Sequence, residues 1–529
     1  MGNGDQKREE NSMKKLKLLF FILLVSILIF KLLPGLTITP TLGMDNPGEQ
    51  LPENDKDKES TPDKELLPFT LSYTEVPGVL TFRGNNFRTA PAYGTVDIKD
   101  NKIEKLWQVK AEAKGLWGGG SGWTGQPALV KWSPEVRKIM NIKEKFKEDE
   151  NFVEVIIASL NGKVYFIDLA TGELTREPID TGSPIKGSVS VDSRGYPLLY
   201  VGQGIKEKPD FGFRLYSLID QKLLFLQDGE DKDAPRLWPN FDSSALFSRS
   251  EDALYVGGEN GLFYKLKLNT VFKPEEKLLT INPEVKKYKY EKEDDSTDPL
   301  YSTYGIENSP AAWEDMIFFA DNGGLVKAID KDLKELWTVD NFDDTDASIT
   351  LDIENENPVL YTASEVDRQG SQGTARILKI EGKTGKILWE KGYKAFSRDG
   401  ASPSNGGALS TNIVGKKSID NMVIFTLSRT ENESKGIMVA LDKATGQELW
   451  RWEMPTYAWS SPVDVYDSQG KAYILQALRN GTMYIIDGAN GKILGKAPID
   501  SYIEASPAIF NDYAVIASRN GYIYGLKIK

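Results

Sequence analysis

Residues 436–450, GIMVALDKATGQELW, carry the pattern that most constrains this chain, because degraded copies of it recur along most of its length. The apolar alternation ending at Leu441 suits a half-buried strand. Asp442 can accept bonds from the backbone ahead of it, and Gly446 can take φ > 0 before Leu449 and Trp450 begin a returning strand. The stretch therefore reads as a hairpin with a bulky aromatic on its outgoing arm. Copies stand at 166–174 (FIDLATGEL), 328–337 (AIDKDLKELW), 379–389 (KIEGKTGKILW) and 486–494 (IDGANGKIL).

Two further markers run in step with it. Five Asn-Gly pairs, at Asn161, Asn260, Asn322, Asn480 and Asn520, lie between strand-like runs, and this spacing predicts type I′ hairpins with φ > 0 at both central residues. Small polar residues open a short apolar strand near positions 126, 187, 242, 308, 346, 404, 460 and 505, which gives eight starts. Their spacing of roughly 40 to 65 residues is that of propeller blades with loop insertions. The last copy ends at Lys529 with no Leu-Trp strand, whereas 103–110 (IEKLWQVK) is a lone Leu-Trp strand with no hairpin before it. Pairing the two would close a ring and leave no open edge. The fold class predicted is all-β: an eight-bladed β-propeller of four-stranded antiparallel blades over 68–529, closed by residues 103–110.

Two insertions break the pattern. Residues 134–147 have apolar positions near helical spacing and predict one short amphipathic helix. Residues 273–298 are charged and read as a long connection before the fourth blade.

The N-terminal part is organised differently. Lys14, Lys15 and Lys17 precede an apolar stretch, and 16–36 gives about 20 residues, enough for a helix to cross a bilayer if Lys17 and Lys31 snorkel. With the basic cluster before it, this segment predicts a single-pass signal anchor in the cell membrane, residues 1–15 cytoplasmic and the propeller extracytoplasmic. Residues 37–67 are rich in Pro, Asp, Glu and Lys and read as a disordered tether.

Composition removes whole classes of chemistry. The chain has no His and no Cys, so a Ser-His-Asp triad, a cysteine nucleophile, imidazole or thiolate metal ligation and disulfides are all excluded. A net charge of -12 argues against a nucleic-acid partner. Carboxylate, Lys, Tyr and Ser/Thr chemistry remains, with oxygen-ligated cations such as calcium.

The hairpin at 440–450 with its copies, and the Phe-Arg-Gly-Asn stretch at 82–85, resemble the pyrroloquinoline-quinone-type (PQQ-like) β-propeller repeat family. That family includes quinoprotein alcohol dehydrogenases and the envelope lipoprotein scaffold of the outer-membrane barrel-assembly machine. The resemblance implies that Trp107, Trp337, Trp389 and Trp450 dock between neighbouring blades. It also offers two functions. The dehydrogenase alternative requires PQQ and calcium at the ring axis, a catalytic Asp and, in well-known members, a Cys-Cys disulfide; this chain has no Cys, and no catalytic Asp is matched by motif. The favoured expectation is a non-catalytic, cofactor-free module that binds an envelope protein or polymer.

In such a ring the residues just before each inner strand would surround one channel mouth: Trp123, Gln126, Lys186, Asp242, Glu307, Asn308, Asp344, Asp346, Asn405, Trp459 and Glu504. The set is mostly acidic with two aromatics. Such oxygens suit calcium or a basic peptide segment, and flat Trp faces suit a sugar or an aromatic side chain.

Overall fold

In a computed structural model, described over residues 67–69, 72–111, 120–290, 303–398 and 403–529, the hairpin at 436–450 sets the geometry repeated around the molecule. Gly436–Asp442 pairs antiparallel with Glu448–Met454. The Asp442 carboxylate accepts the Thr445 N–H at 2.9 Å and the Thr445 hydroxyl at 2.8 Å, and its carbonyl accepts the Gly446 N–H at 2.8 Å. Gly446 has φ +69°, which an L side chain adopts at a cost. Asp168, Thr171 and Gly172 repeat the arrangement, with Gly172 at φ +76°.

Among the described residues the strands form eight blades and one two-stranded hairpin. The fifth blade shows the plan: Thr350–Glu354, Asn357–Ala363, Gly373–Glu381 and Ile387–Ala395 in simple antiparallel order. The eighth blade has Ala508–Phe510, Tyr513–Ala517 and Tyr522–Ile528 from the C-terminal end of the chain. Its outer strand is Ile103–Lys110, which pairs antiparallel from Ile103 opposite Ile528 to Lys110 opposite Tyr522. Apolar residues on facing blades form the cores; one such cluster joins Tyr361, Ile377, Phe425 and Val439 across the fifth and sixth blades.

Outer-strand tryptophans join neighbouring blades by one repeated contact. The indole N–H of Trp107 donates to Leu169 O at 2.9 Å, Trp337 to Gly382 O at 2.8 Å, Trp389 to Lys443 O at 2.9 Å and Trp450 to Gly488 O at 3.2 Å. Each ring lies against the turn glycine of the next blade: Gly172, Gly385, Gly446 and Gly491 respectively. At Gly495, which stands in place of a tryptophan, an added Cβ would lie 1.9 Å from Asn101 O, so the incoming chain occupies that room.

At the axis, the small polar residues that open the inner strands form a hydrogen-bonded girdle. Ser244 N–H donates to Ser309 Oγ, Ser309 to Ser348, Ser348 to Thr411, Thr411 to Ser461 and Ser461 to Ser506, at 2.9 to 3.1 Å. Residues 80–90 lie across this axis. Arg83 and Arg88 are fully buried there, at φ +54° and +59°. The Arg83 guanidinium donates to Pro462 O and Arg88 O. Arg88 donates to Pro310 O, Ser244 O and Phe82 O. Carbonyls from opposite sides of the ring thus converge on one crossing segment. Burial lowers both guanidinium pKa values to about 10.

Several expectations need correction. The Asn-Gly loops are not type I′: Gly162, Gly261, Gly481 and Gly521 have positive φ, but the asparagines before them do not. Ser159 N–H donates to Lys163 O and Gly162 N–H to Ser159 O. The loop is therefore a three-residue turn with only its glycine left-handed, and Asn161 Oδ1 accepts the Lys163 N–H at 3.0 Å. In the fourth blade the left-handed residue is Gly324, one place beyond Asn322-Gly323. Residues 134–147 form two short helices, Pro134–Ile139 and Glu144–Lys147, because Met140 takes an extended conformation (ψ 152°). The stretch 273–298 is more than a connection: Glu284–Lys289 is the outer strand of the third blade, and Leu278–Thr280 pairs with Val271–Lys273. The anchor at 16–36 and nearly all of the tether lie outside the described residues. Among the described residues no helix is long and apolar enough to cross a membrane.

Candidate functional site

Seven of the eleven residues proposed for the mouth, Trp123, Lys186, Asp242, Glu307, Asn308, Asp346 and Trp459, line one axial cavity of ≈ 140 Å³. Its wall includes the girdle hydroxyls of Ser309, Ser348, Thr411 and Ser461, and the crossing segment contributes Phe82. The other four candidates do not line it. Gln126 is tied to the crossing segment, accepting Arg83 N–H at 2.8 Å and donating to Pro507 O. Glu504 accepts the Tyr502 hydroxyl at 2.7 Å and lies 3.5 Å from Arg519. Asn405 donates to Glu365 Oε2 at 2.7 Å, and Asp344 stands among Asp346, Glu365 and Glu307. Within the cavity, Asn308 serves the scaffold: its amide donates to Ala320 O and Thr345 O at 2.7 and 2.9 Å.

Sequence reasoning missed two carboxylates, Glu259 and Glu365. Both follow the second strand of a blade, whereas the candidates were drawn from residues before the first. The signal that could have found them was an acidic residue beside a hairpin or strand end at that other axial position.

Lys186 organises one side of the site. Its ammonium contacts Asp242 Oδ2, lies 3.2 Å from Glu259 Oε1 and 4.0 Å from Glu307 Oε2, and faces the Trp123 ring at 5.9 Å. Burial alone would lower the lysine pKa, but Asp242, Glu259 and Glu307 together raise it well above its ordinary value. The carboxylate pKa values rise as well, here because burial disfavours their charged form. Burial, partly offset by Lys186, raises Asp242 to about 6 and Glu259 to about 7. Burial and then neighbouring carboxylates raise Glu307, Asp344, Asp346 and Glu365.

A second cleft of ≈ 250 Å³ adjoins the mouth, sharing Trp123 and Lys186 and adding Leu237 and Trp238. Leu237 is 64% exposed and Trp238 44%. The acidic mouth therefore has an apolar rim on this side.

Residues 434–529 match a family model described as outer membrane protein assembly factor BamB. The curated BamB of Kangiella koreensis is 29% identical over 96 residues, 18% of this chain and 24% of that protein, so the matched stretch spans about a quarter of the relative. Among solved structures, the quinohemoprotein alcohol dehydrogenase of Comamonas testosteroni is similar at 12% identity and a TM-score of 0.55. ADHIIG of Pseudomonas putida HK5 is similar at 11% and 0.58. Each comparison covers 85% of this chain and 80% of the other. The chain is thus similar in sequence to this family over residues 434–529, and over most of its length it shares the propeller fold of these enzymes.

The shared fold with quinohemoprotein dehydrogenases raises the question of whether their quinone suits this mouth. Pyrroloquinoline quinone is a rigid tricarboxylate. The axial cavity of ≈ 140 Å³ is lined by Asp242, Glu307 and Asp346, which would repel such an anion. Its cation, Lys186, is already surrounded by three carboxylates, and Asp346 adds a further acid to the lining. The quinone does not fit this lining. For calcium, Asp242, Glu259 and Glu307 have oxygens all within 4.8 Å of one another, but the Lys186 ammonium lies among them.

Proposed function

We propose that this chain is a non-catalytic binding module of the cell envelope, which uses the acidic mouth of its propeller to hold a protein segment. The observation that carries the reading is the pairing of a carboxylate-lined cavity with an apolar rim containing exposed Leu237 and Trp238. An acidic recess attracts a basic side chain, and the rim offers apolar and aromatic surface beside it. The envelope assignment draws on the similarity of residues 434–529 to an outer membrane protein assembly factor. Single-pass tethering, with the propeller on the extracytoplasmic side, is part of the proposal and draws on the apolar stretch at 16–36 and the lysines before it.

The test is equilibrium binding by the full chain in mild detergent to immobilised basic, neutral and acidic peptides and to envelope oligosaccharides. Retention of basic peptides that contain an aromatic or aliphatic neighbour supports the reading. Glycan binding without peptide binding moves the ligand to a polymer, and binding of neither class removes the mouth as a site. Incubation with PQQ and calcium, followed by dye-linked alcohol oxidation, addresses the oxidoreductase; sustained turnover would overturn the non-catalytic assignment.

A further inference from the structure

The carboxylates of the mouth are not equivalent. Asp242, Glu259 and Glu307 share the Lys186 ammonium, so the chain supplies their cation. Asp344, Asp346 and Glu365 act on one another and make no close ion pair among the described residues; Lys186 reaches Asp346, and Arg429 reaches Glu365, only from a distance. Glu365 is fully buried; its Oε2 accepts Asn405 Nδ2, and its Oε1 has no hydrogen-bond donor. Asp344 Oδ1 and Asp346 Oδ1 are also buried without donors. A buried acceptor that has lost water and gained no donor is costly, and a cluster of three repels itself.

The spacing selects the type of cation. Among the described residues, the group of three carboxylates whose oxygens all gather within 4.8 Å is Asp242, Glu259 and Glu307. Asp344, Asp346 and Glu365 are spread more widely, beyond what one monoatomic ion bridges. Several donors distributed over a larger cation suit them: the five N–H groups of a guanidinium or the three of an ammonium. Phe82 and Leu409 line the same cavity as Asp346 and offer apolar surface for an aliphatic stem.

We infer that Asp346, at the cavity wall, with Asp344 and Glu365 behind it, forms a subsite for an arginine or lysine side chain of the bound partner, beside the carboxylates that Lys186 already serves. This inference rests on the proposal that the mouth holds a protein segment.

The probes are N-acetyl-Gly-Arg-Gly-amide, its Lys and Gln counterparts and calcium chloride, titrated calorimetrically into the full-length protein and its Glu365→Gln, Asp346→Asn and Glu150→Gln variants. The Arg or Lys peptide should bind saturably and the Gln peptide should not. Glu365→Gln and Asp346→Asn should each weaken binding by about tenfold or more, as loss of a charge-assisted bond implies. Both variants should also raise the melting temperature at pH 7.5, because they relieve repulsion; a purely structural role would lower it. Glu150, on an exposed loop, should affect neither. Binding unchanged in Glu365→Gln and Asp346→Asn, lowered stability of both, or calcium uptake in place of peptide uptake would each overturn the subsite. If those variants still hold longer basic segments as wild type does, the subsite falls and the proposed function stands. If wild type holds no peptide at all, both fall.

Discussion

Gly172→Ala tests how the ring is held together. A Cβ at Gly172 would lie 2.6 Å from Trp107 Cγ and 2.7 Å from Cδ2, with the backbone at φ +76°. Two costs combine: about 1–2 kcal/mol for an L side chain in the left-handed region, and about 1–3 kcal/mol for forcing a methyl into a packed contact. Gly370 separates them, because at φ +69° its added Cβ meets nothing within 4 Å. Gly370→Ala should therefore lose only the backbone part, about 1–2 kcal/mol, and Gly172→Ala about 2–5 kcal/mol. Urea unfolding at constant m-value measures both. A Trp107→Ala background completes the cycle: without the indole, Gly172→Ala should cost no more than Gly370→Ala does, a coupling of about 1–3 kcal/mol. Equal costs for the two glycines, or no change when the indole is removed, would refute the wedge.

The pH dependence of stability follows from the buried acids. Below about pH 4 these carboxylates are protonated in both states, and their contribution is fully present. As pH rises the unfolded chain ionises first, whereas the folded protein keeps its proton on Asp242 to about 6 and on Glu259 to about 7. Stability is therefore lost across this window, by about 3 kcal/mol from Glu259 at 1.4 kcal/mol per pH unit. The melting temperature should rise on acidification from pH 7.5 to 5.5, and a fall would contradict the assignment. Lys186→Met should destabilise the fold at pH 7.5 by about 3–5 kcal/mol, since it leaves buried charge uncompensated. Calcium or pH 5.5 should recover part of that loss in thermal melts; loss independent of both would place the lysine's role elsewhere. Asp442→Ala removes the acceptor for Thr445 N–H and hydroxyl and should cost about 1–2 kcal/mol in the same unfolding assay, as loss of a local cap does.

The blade pattern was legible because its markers are local. The Asp-x-x-Thr-Gly turn needs its glycine and its Asp acceptor whatever surrounds it, and the glycine also receives the tryptophan of the neighbouring blade. The Asn-Gly loops were misread because the same dipeptide serves two hairpin geometries; cross-strand register chooses between them, and register is not local. The serine marker was visible as a repeat, but its role in linking one inner strand to the next exists only once the ring has closed. Arg83 and Arg88 lie further from sequence reasoning, because positive φ at arginine is sustained by carbonyls from distant blades. For the site, positions before inner strands found the cavity, while Glu259 and Glu365 reach the axis from second strands and escaped a rule built on first strands.

The outer strand of the eighth blade imposes an order of events on biosynthesis. Ile103–Lys110 emerges from the ribosome before any complete blade, yet its partner, Tyr522–Ile528, is made after every other described strand. Throughout elongation, and through any export that accompanies it, this strand must be kept from pairing with the edges of blades that form earlier. Chains interrupted at any intermediate point retain a hydrogen-bonding edge at each end, which makes them ready substrates for quality control or for pairing with one another. A circular permutant that makes the two strands neighbours in sequence should shorten that wait, and the gain in refolding rate would measure what the native order costs.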